Sequence, residues 1–221
     1  MTLENYLGSW VNVVNVSILS KVLNSIDPTS NYLCPSPSNI LRAFELCSYN
    51  KCSVVMLGQY SYPQKGVATG ILFGNKKETP INNISPSLRV IMNAVLELDK
   101  NKTEKDFDIT LEGWAKQGVL MLNTALTTEV NKIDIHTRLW YPFINDLLIN
   151  MKNKKKNMVY VVFGTKVLYH LRNVNIIGQK EICLEYHPSY YARINRPMHS
   201  TIFNNINLFL REKNKKEIKW L

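Results

Sequence analysis

Acidic residues are scarce in this 221-residue chain: 17 Asp and Glu face 27 Lys and Arg, a formal net charge of +10. An excess of this size makes a polyanion the default partner, because phosphate contacts dominate such binding. The competing account is a lysine-rich surface that only aids solubility, and the run Lys152-Asn153-Lys154-Lys155-Lys156 reads as a solvated loop. Cysteine is equally sparse. Cys34, Cys47, Cys52 and Cys183 have neither metal-ligand nor redox-motif spacing, which predicts free thiols in a reducing, cytoplasmic compartment, with Cys183 inside a buried strand. No metal and no cofactor is expected. No apolar run approaches the roughly 20 residues that span a bilayer, and Met1-Thr2-Leu3-Glu4 lacks the basic and apolar regions of a signal peptide. Glycine and proline, nine each, gather into no linker, and no repeat is visible. The expectation is one domain over 1–221, long enough to bury a core, without a membrane partner and monomeric when unbound.

Against these absences stand four short apolar runs, each breaking off into a polar motif. Residues 54–57 precede Gly58-Gln59-Tyr60-Ser61-Tyr62-Pro63, and residues 119–122 precede Asn123-Thr124-Ala125-Leu126-Thr127. Residues 159–163 lead into Gly164-Thr165, and 182–186 into His187-Pro188-Ser189. Runs of this length between helical stretches predict buried strands. Helical spacing covers Trp10 to Ile26, then segments opening at Pro37 (Ser36 as N-cap) and Pro86 (Ser85 as N-cap). Further helices are predicted at 110–116, 142–151, 165–172 and 202–210. Strands alternating with helices imply an α/β fold with a mostly parallel, four-stranded sheet covered on both faces. In such a sheet the carboxyl ends of the strands line the ligand crevice, so the four exits should converge on one site.

Each candidate there has two readings. Asn123 presents a donor and an acceptor side by side, matching the edge of a uracil-like base, or it closes an Asx-turn. His187, at a strand exit, donates to a developing oxyanion as a neutral imidazole, or is structural. Phe73 is a stacking face for a base or a core side chain, with Gly70 allowing close backbone approach. Ser87, Thr165 and Ser189 sit in small-residue turns that suit phosphate clamping or serve local needs. Tyr190 and Tyr191, read as lying on a loop, are a wedge for a base stack or ordinary rim residues.

At these positions the chain resembles family 1 uracil-DNA glycosylases, over about residues 5–220. Residues 58–63 resemble the family's water-activating GQDPYH loop, and 118–127 (GVLMLNTALT) its uracil-reading segment. His187-Pro188-Ser189 is similar to the HPSP loop, Ser85-Pro86-Ser87-Leu88 to the proline-rich phosphate loop, and Gly164-Thr165 to the Gly-Ser loop. Lys216-Glu217-Ile218-Lys219-Trp220 resembles the family's closing segment. The resemblance implies a three-layer α/β/α fold with a central four-stranded parallel sheet. It implies a uracil pocket of Gln59, Tyr62, Phe73 and Asn123: Phe73 stacks on a flipped base, Asn123 reads its edge and Tyr62 crowds out a thymine methyl. His187 faces O2, and Tyr191 falls where a leucine enters the vacated base stack. A DNA face of Ser87, Thr165, Ser189 and Tyr191 follows, with Lys65, Lys166 and Arg193 adding charge. The four cysteines do not have the spacing of an iron–sulfur glycosylase.

The departures matter as much. Tyr60 occupies the position of the aspartate that places the attacking water, and a phenol is a bulky, uncharged replacement at neutral pH. Residues 58–77 contain no Asp or Glu, and Ser61 and Pro63 replace the family's Pro and His. Losing one such electrostatic group costs on the order of 10²–10³ in rate. The leading expectation is a pseudo-glycosylase that binds DNA, weakly, or an acidic DNA-mimic inhibitor protein. The alternatives are a weak or altered uracil-DNA glycosylase of base-excision repair, using His187 without the carboxylate, and a nonspecific nucleic-acid-binding domain.

Overall fold

The structure, a computed structural model, describes residues 2–172, 174 and 182–221. It opens on α1 (Leu3–Leu7), a 3-10 turn (Gly8–Asn12) and α2 (Val16–Asn24). The single helix expected over 10–26 is therefore broken. The Asn15 side chain accepts from the Ile18 amide at 3.2 Å and starts a new helix, while fully buried Trp10 stays behind, its Nε1–H donating to the Cys47 carbonyl at 2.6 Å. β1 (Leu33–Cys34) follows. The helix expected from Pro37 begins as a 3-10 turn (Pro37–Asn39), because Ser36 makes no capping bond, and becomes α3 only at Arg42–Leu46.

The rest of the chain alternates as its apolar runs predict. β2 (Val54–Tyr60) leads to α4 (Pro86–Leu96) and α5 (Glu112–Lys116); β3 (Val119–Ala125) is followed by β4 (Thr128–Glu129), which pairs antiparallel with β1. Next come α6 (Thr137–Lys154), β5 (Val159–Phe163), a 3-10 turn with α7 (Leu168–Arg172), β6 (Ile182–Glu185), α8 (Pro188–Ile194) and α9 (Thr201–Glu212). The main sheet runs β3-β2-β5-β6, parallel throughout, in register Val54↔Val119, Val54↔Val159 and Tyr160↔Ile182. β3 and β5 are buried along their whole length, which requires helices on both faces and gives three α/β/α layers. At the β6 edge Leu184 is 57% exposed. Among the described residues no helix is long and apolar enough to cross a membrane.

Two surface expectations change. α6 starts five residues before Pro142, which costs it one amide donor; Trp140, fully buried with Nε1–H donating to Thr127 Oγ1 at 2.7 Å, anchors the preceding turn. The lysine run is no solvated loop. Lys152 and Lys154 close α6, Lys154 donates to the Asn12 carbonyl, and Lys155 donates to the Tyr49 and Asn50 carbonyls at 2.6 and 3.1 Å. All four cysteines are buried free thiols. At the other end of the chain, Trp220 packs against Trp114 and Phe203 and accepts from Trp114 Nε1 at 3.1 Å.

Candidate functional site

The parallel register brings the four strand exits to one edge. Gly58 pairs with Asn123 and Tyr60 with Ala125, and the Gly164 amide donates to the Glu185 carbonyl at 2.8 Å. Gly164, at φ +92, is held close: a Cβ there would lie 3.0 Å from Gln59 Nε2 and 3.3 Å from His187 Cβ. A cavity of about 570 Å³ opens at this edge, its wall including Tyr60, Tyr62, Phe73, Ser87, Asn123 and His187. Ser189 also lines it, whereas Gln59, Thr165, Lys166, Tyr191 and Arg193 stand outside the wall.

Asn123 is 6% exposed, and its Oδ1 is buried with no hydrogen-bond partner among the described residues. The Asx-turn reading is therefore excluded. A buried acceptor left open costs free energy unless a donor arrives, and Asn123 itself lines the cavity. Phe73 unites both of its readings. It is 5% exposed, edge-on to Phe163 at 5.1 Å and to His187 at 5.4 Å, yet lines the cavity. Its φ of 64° is a left-handed conformation rare for a bulky residue, and strain of this kind concentrates at functional sites. The loop holding it depends on Gly70, at φ +81, where a Cβ would sit 1.8 Å from the Asn39 carbonyl oxygen. Tyr62 Oη donates to the Phe73 carbonyl at 3.3 Å, and burial pushes this phenol up from its ordinary range against the lowering effect of Ser85 and Ser87. Asn75 was not legible as a site residue. Its Nδ2 donates to Ser85 Oγ at 3.0 Å and its Oδ1 accepts from the Ser85 amide at 2.9 Å, fastening the Phe73 loop to the start of α4.

His187 caps α8. Its Nδ1 accepts from the Ser189 amide at 3.2 Å and lies 2.8 Å from Ser189 Oγ, so the ring proton resides on Nε2. Burial depresses its pKa to about 4, keeping the imidazole neutral near pH 7 and fit to donate one hydrogen bond to a carbonyl oxygen.

The surroundings of the cavity depart from expectation. Tyr190 and Tyr191 lie in α8, not on a loop, because Pro188 at its first position favours helix entry. Tyr191 is half-buried, with Oη donating to Glu185 Oε1 at 2.6 Å; burial and that carboxylate push its phenol up. The exposed rings here are Tyr186 and Tyr190, 5.0 Å apart, with the Arg193 guanidinium 5.9 Å from the Tyr190 ring. Thr165 is exposed, and Lys166 pairs with Asp134 at 2.9 Å. That bond, more than the nearby Tyr60, raises the lysine's pKa. Asp134 does not line the cavity. Among the described residues no Asp or Glu does.

Comparison with known proteins agrees with this geometry. The sequence model of the Uracil DNA glycosylase superfamily matches residues 44–211. The chain is 31% identical to the uracil-DNA glycosylase of Mesomycoplasma hyopneumoniae, over 84% of this chain and 82% of that protein. It is 33% identical to uracil-DNA glycosylase 1 of Listeria innocua, over 84% of this chain and 82% of that protein. The mimivirus uracil-DNA glycosylase superposes with a TM-score of 0.74 at 26% identity, covering 92% of this chain and 79% of that one. A mimivirus UNG variant solved in complex with UGI gives 0.73 at 25% identity, covering 92% and 80%. With a matching sequence model, relatives of this similarity and Asn123, Phe73 and His187 gathered at the sheet edge, the chain belongs to the uracil-DNA glycosylase superfamily.

Proposed function

We propose that this chain recognises uracil in DNA through the cavity at the strand exits, and that its hydrolytic step is lost or greatly slowed. One observation carries the reading: Tyr62, Phe73, Asn123 and His187 line one cavity, while no carboxylate among the described residues does. Asn123 Oδ1 accepts from the base N3–H and its amide nitrogen donates to O4. Phe73 stacks on the ring, His187 donates from Nε2 to O2, and Tyr62 limits the space beside C5. Tyr60 stands where an anion would place water and offset positive charge on the sugar, and a phenol supplies neither. Removing one such group slows catalysis by on the order of 10²–10³.

A second reading has its own support, since the relatives are named uracil-DNA glycosylases. In that case base extrusion, displacement of water by the bound base and the His187 hydrogen bond sustain slow excision without a carboxylate. Excision of uracil from single-stranded DNA by the wild type and by Tyr60→Asp separates the two. Negligible wild-type release with retained uracil-dependent binding supports the first reading, and turnover typical of a glycosylase overturns it.

The partner is DNA, held weakly and salt-sensitively through Ser87, Thr165, Ser189 and Arg193, or an acidic protein that imitates DNA and docks around Tyr191. The UGI complex of the mimivirus protein supports the latter class. The protein works as a single, monomeric domain in a reducing cytoplasm, a reading supported by its four free thiols.

A further inference from the structure

A second cavity, of about 470 Å³, lies at the opposite end of the sheet. Ser53, just before β2, and Gln117, just before β3, line it. The seven residues of β2 therefore separate it from the base-reading cavity, roughly 20 Å at ~3.3 Å per residue. Its wall includes Lys51, Lys116, Lys155, Lys215 and Lys216 against one carboxylate, Glu217. Glu217 is engaged by Arg211 at 3.6 Å, and Lys116 is answered by Glu112 at 3.1 Å. The other four lysines form no ion pair among the described residues.

Two of those four are built in. Lys155 and Lys215 are half-buried, and their ammonium groups donate to backbone carbonyls, Lys155 to Tyr49 and Asn50, Lys215 to Asn157 at 2.6 Å. These three bonds engage half of the six N–H donors, and the Lys155 ammonium also lies 4.9 Å from the centre of the Tyr49 ring, but no anion among the described residues answers either charge. Burial, with the Lys155 charge added, pushes the Lys215 ammonium below its ordinary pKa. Positive charge gathered without counter-charge in a concave, partly desolvated space is unfavourable until an anion enters, and such a cleft concentrates the field that draws one in. Lys155 comes from the run after α6 and Lys215 and Lys216 from the turn after α9, so the fold brings together two basic segments that the base-reading site does not use.

We infer that this cavity is a second phosphate-binding site, taking the backbone of a nucleic-acid strand other than the one whose base enters the uracil pocket. Lys155 and Lys215 set the field at its floor, and exposed Lys51 and Lys216 meet phosphate oxygens at its rim. The charge of the cleft selects the polyanion, and the distance along β2 separates its strand from the strand being read.

The test uses a uracil-free single-stranded oligonucleotide and the double variant Lys51→Glu/Lys216→Glu, both positions being exposed. Lys21→Glu/Lys100→Glu, exposed and outside both cavities, controls for net charge. The slope of log affinity against log salt should become shallower by about 1.4 in the first variant, for two lost contacts to a single strand, and should hold in the control. Equal slopes in wild type and both variants overturn the proposal. Tripolyphosphate distinguishes the source of the anion. If it stabilises wild type but not Lys51→Glu/Lys216→Glu while the oligonucleotide slopes stay equal, the cleft takes a small phosphate and the nucleic-acid assignment falls. Asn123→Ala, by contrast, should abolish uracil preference and leave the slope intact, so failure of the uracil reading and failure of this one are distinguishable.

Discussion

Gly58 and Asn123 are cross-strand partners, and a Cβ on Gly58 would stand 3.3 Å from Asn123 Oδ1 and 2.2 Å from Leu72 Cδ1. The missing side chain leaves room for Leu72 beside the Asn123 amide. Gly58→Ala should drive Leu72 from its place, cost about 1–3 kcal/mol as an overpacked core position, and weaken uracil-dependent binding with it. Urea midpoints and oligonucleotide titrations measure the two effects, and a variant unchanged in both contradicts the packing described.

The open acceptor on Asn123 predicts a trade between stability and recognition. Asn123→Leu replaces a buried, unpartnered polar group by an apolar one of similar size. It should raise unfolding stability by on the order of 1 kcal/mol while erasing any preference for uracil over thymine. A variant less stable than wild type and still selective would show that Oδ1 is satisfied in the free protein.

Acid should destabilise the fold through two desolvated histidines, His170 buried and His187 half-buried. His170 and His187 are held near pKa 4 by burial, below the ordinary 6.5 that they regain on unfolding. Between those values the unfolded chain binds more protons, so stability rises with pH across the window and is lost as pH falls from 6.5 towards 4. His170, 3% exposed, should contribute a slope of about 1.4 kcal/mol per pH unit within that window. Denaturation of His170→Phe at pH 7 and pH 5 should show a smaller difference than wild type; an equal difference removes His170 as a source.

At Gly70 both the positive φ and the Asn39 carbonyl forbid a side chain. Gly70→Ala should cost about 3 kcal/mol or more, because backbone must move to admit the methyl. A thermal midpoint near that of wild type would contradict the close approach.

The sheet was legible because β2, β3 and β5 are buried on both faces and read as continuous apolar runs. Asn123, Phe73 and His187 were legible because they follow those runs. Local chemistry hid the rest. Asn15 interrupts a helix that the apolar period alone would continue. Tyr190 and Tyr191 look like loop residues until Pro188 is recognised as a helix-opening residue. Asn75 has no neighbouring signal, since its partner Ser85 is ten residues on. Asp134 reaches Lys166 across 32 residues, a pairing that no spacing rule anticipates. Lys154 and Lys155 read as solvent-facing charge because their carbonyl partners, Asn12 and Tyr49, lie more than a hundred residues earlier.

The left-handed backbone of Phe73 has a consequence for substrate choice. On the proposed stacking role, a Phe73 ring already packed against Phe163 and His187 leaves little of the protein to be ordered on binding, so the conformational cost shifts to the nucleic acid. Discrimination between substrates then follows how readily each strand releases a base. A uracil already unpaired, in a single strand or a mismatch, should occupy the cavity far more often than one stacked in a sound duplex, whatever the fate of the glycosidic bond afterwards.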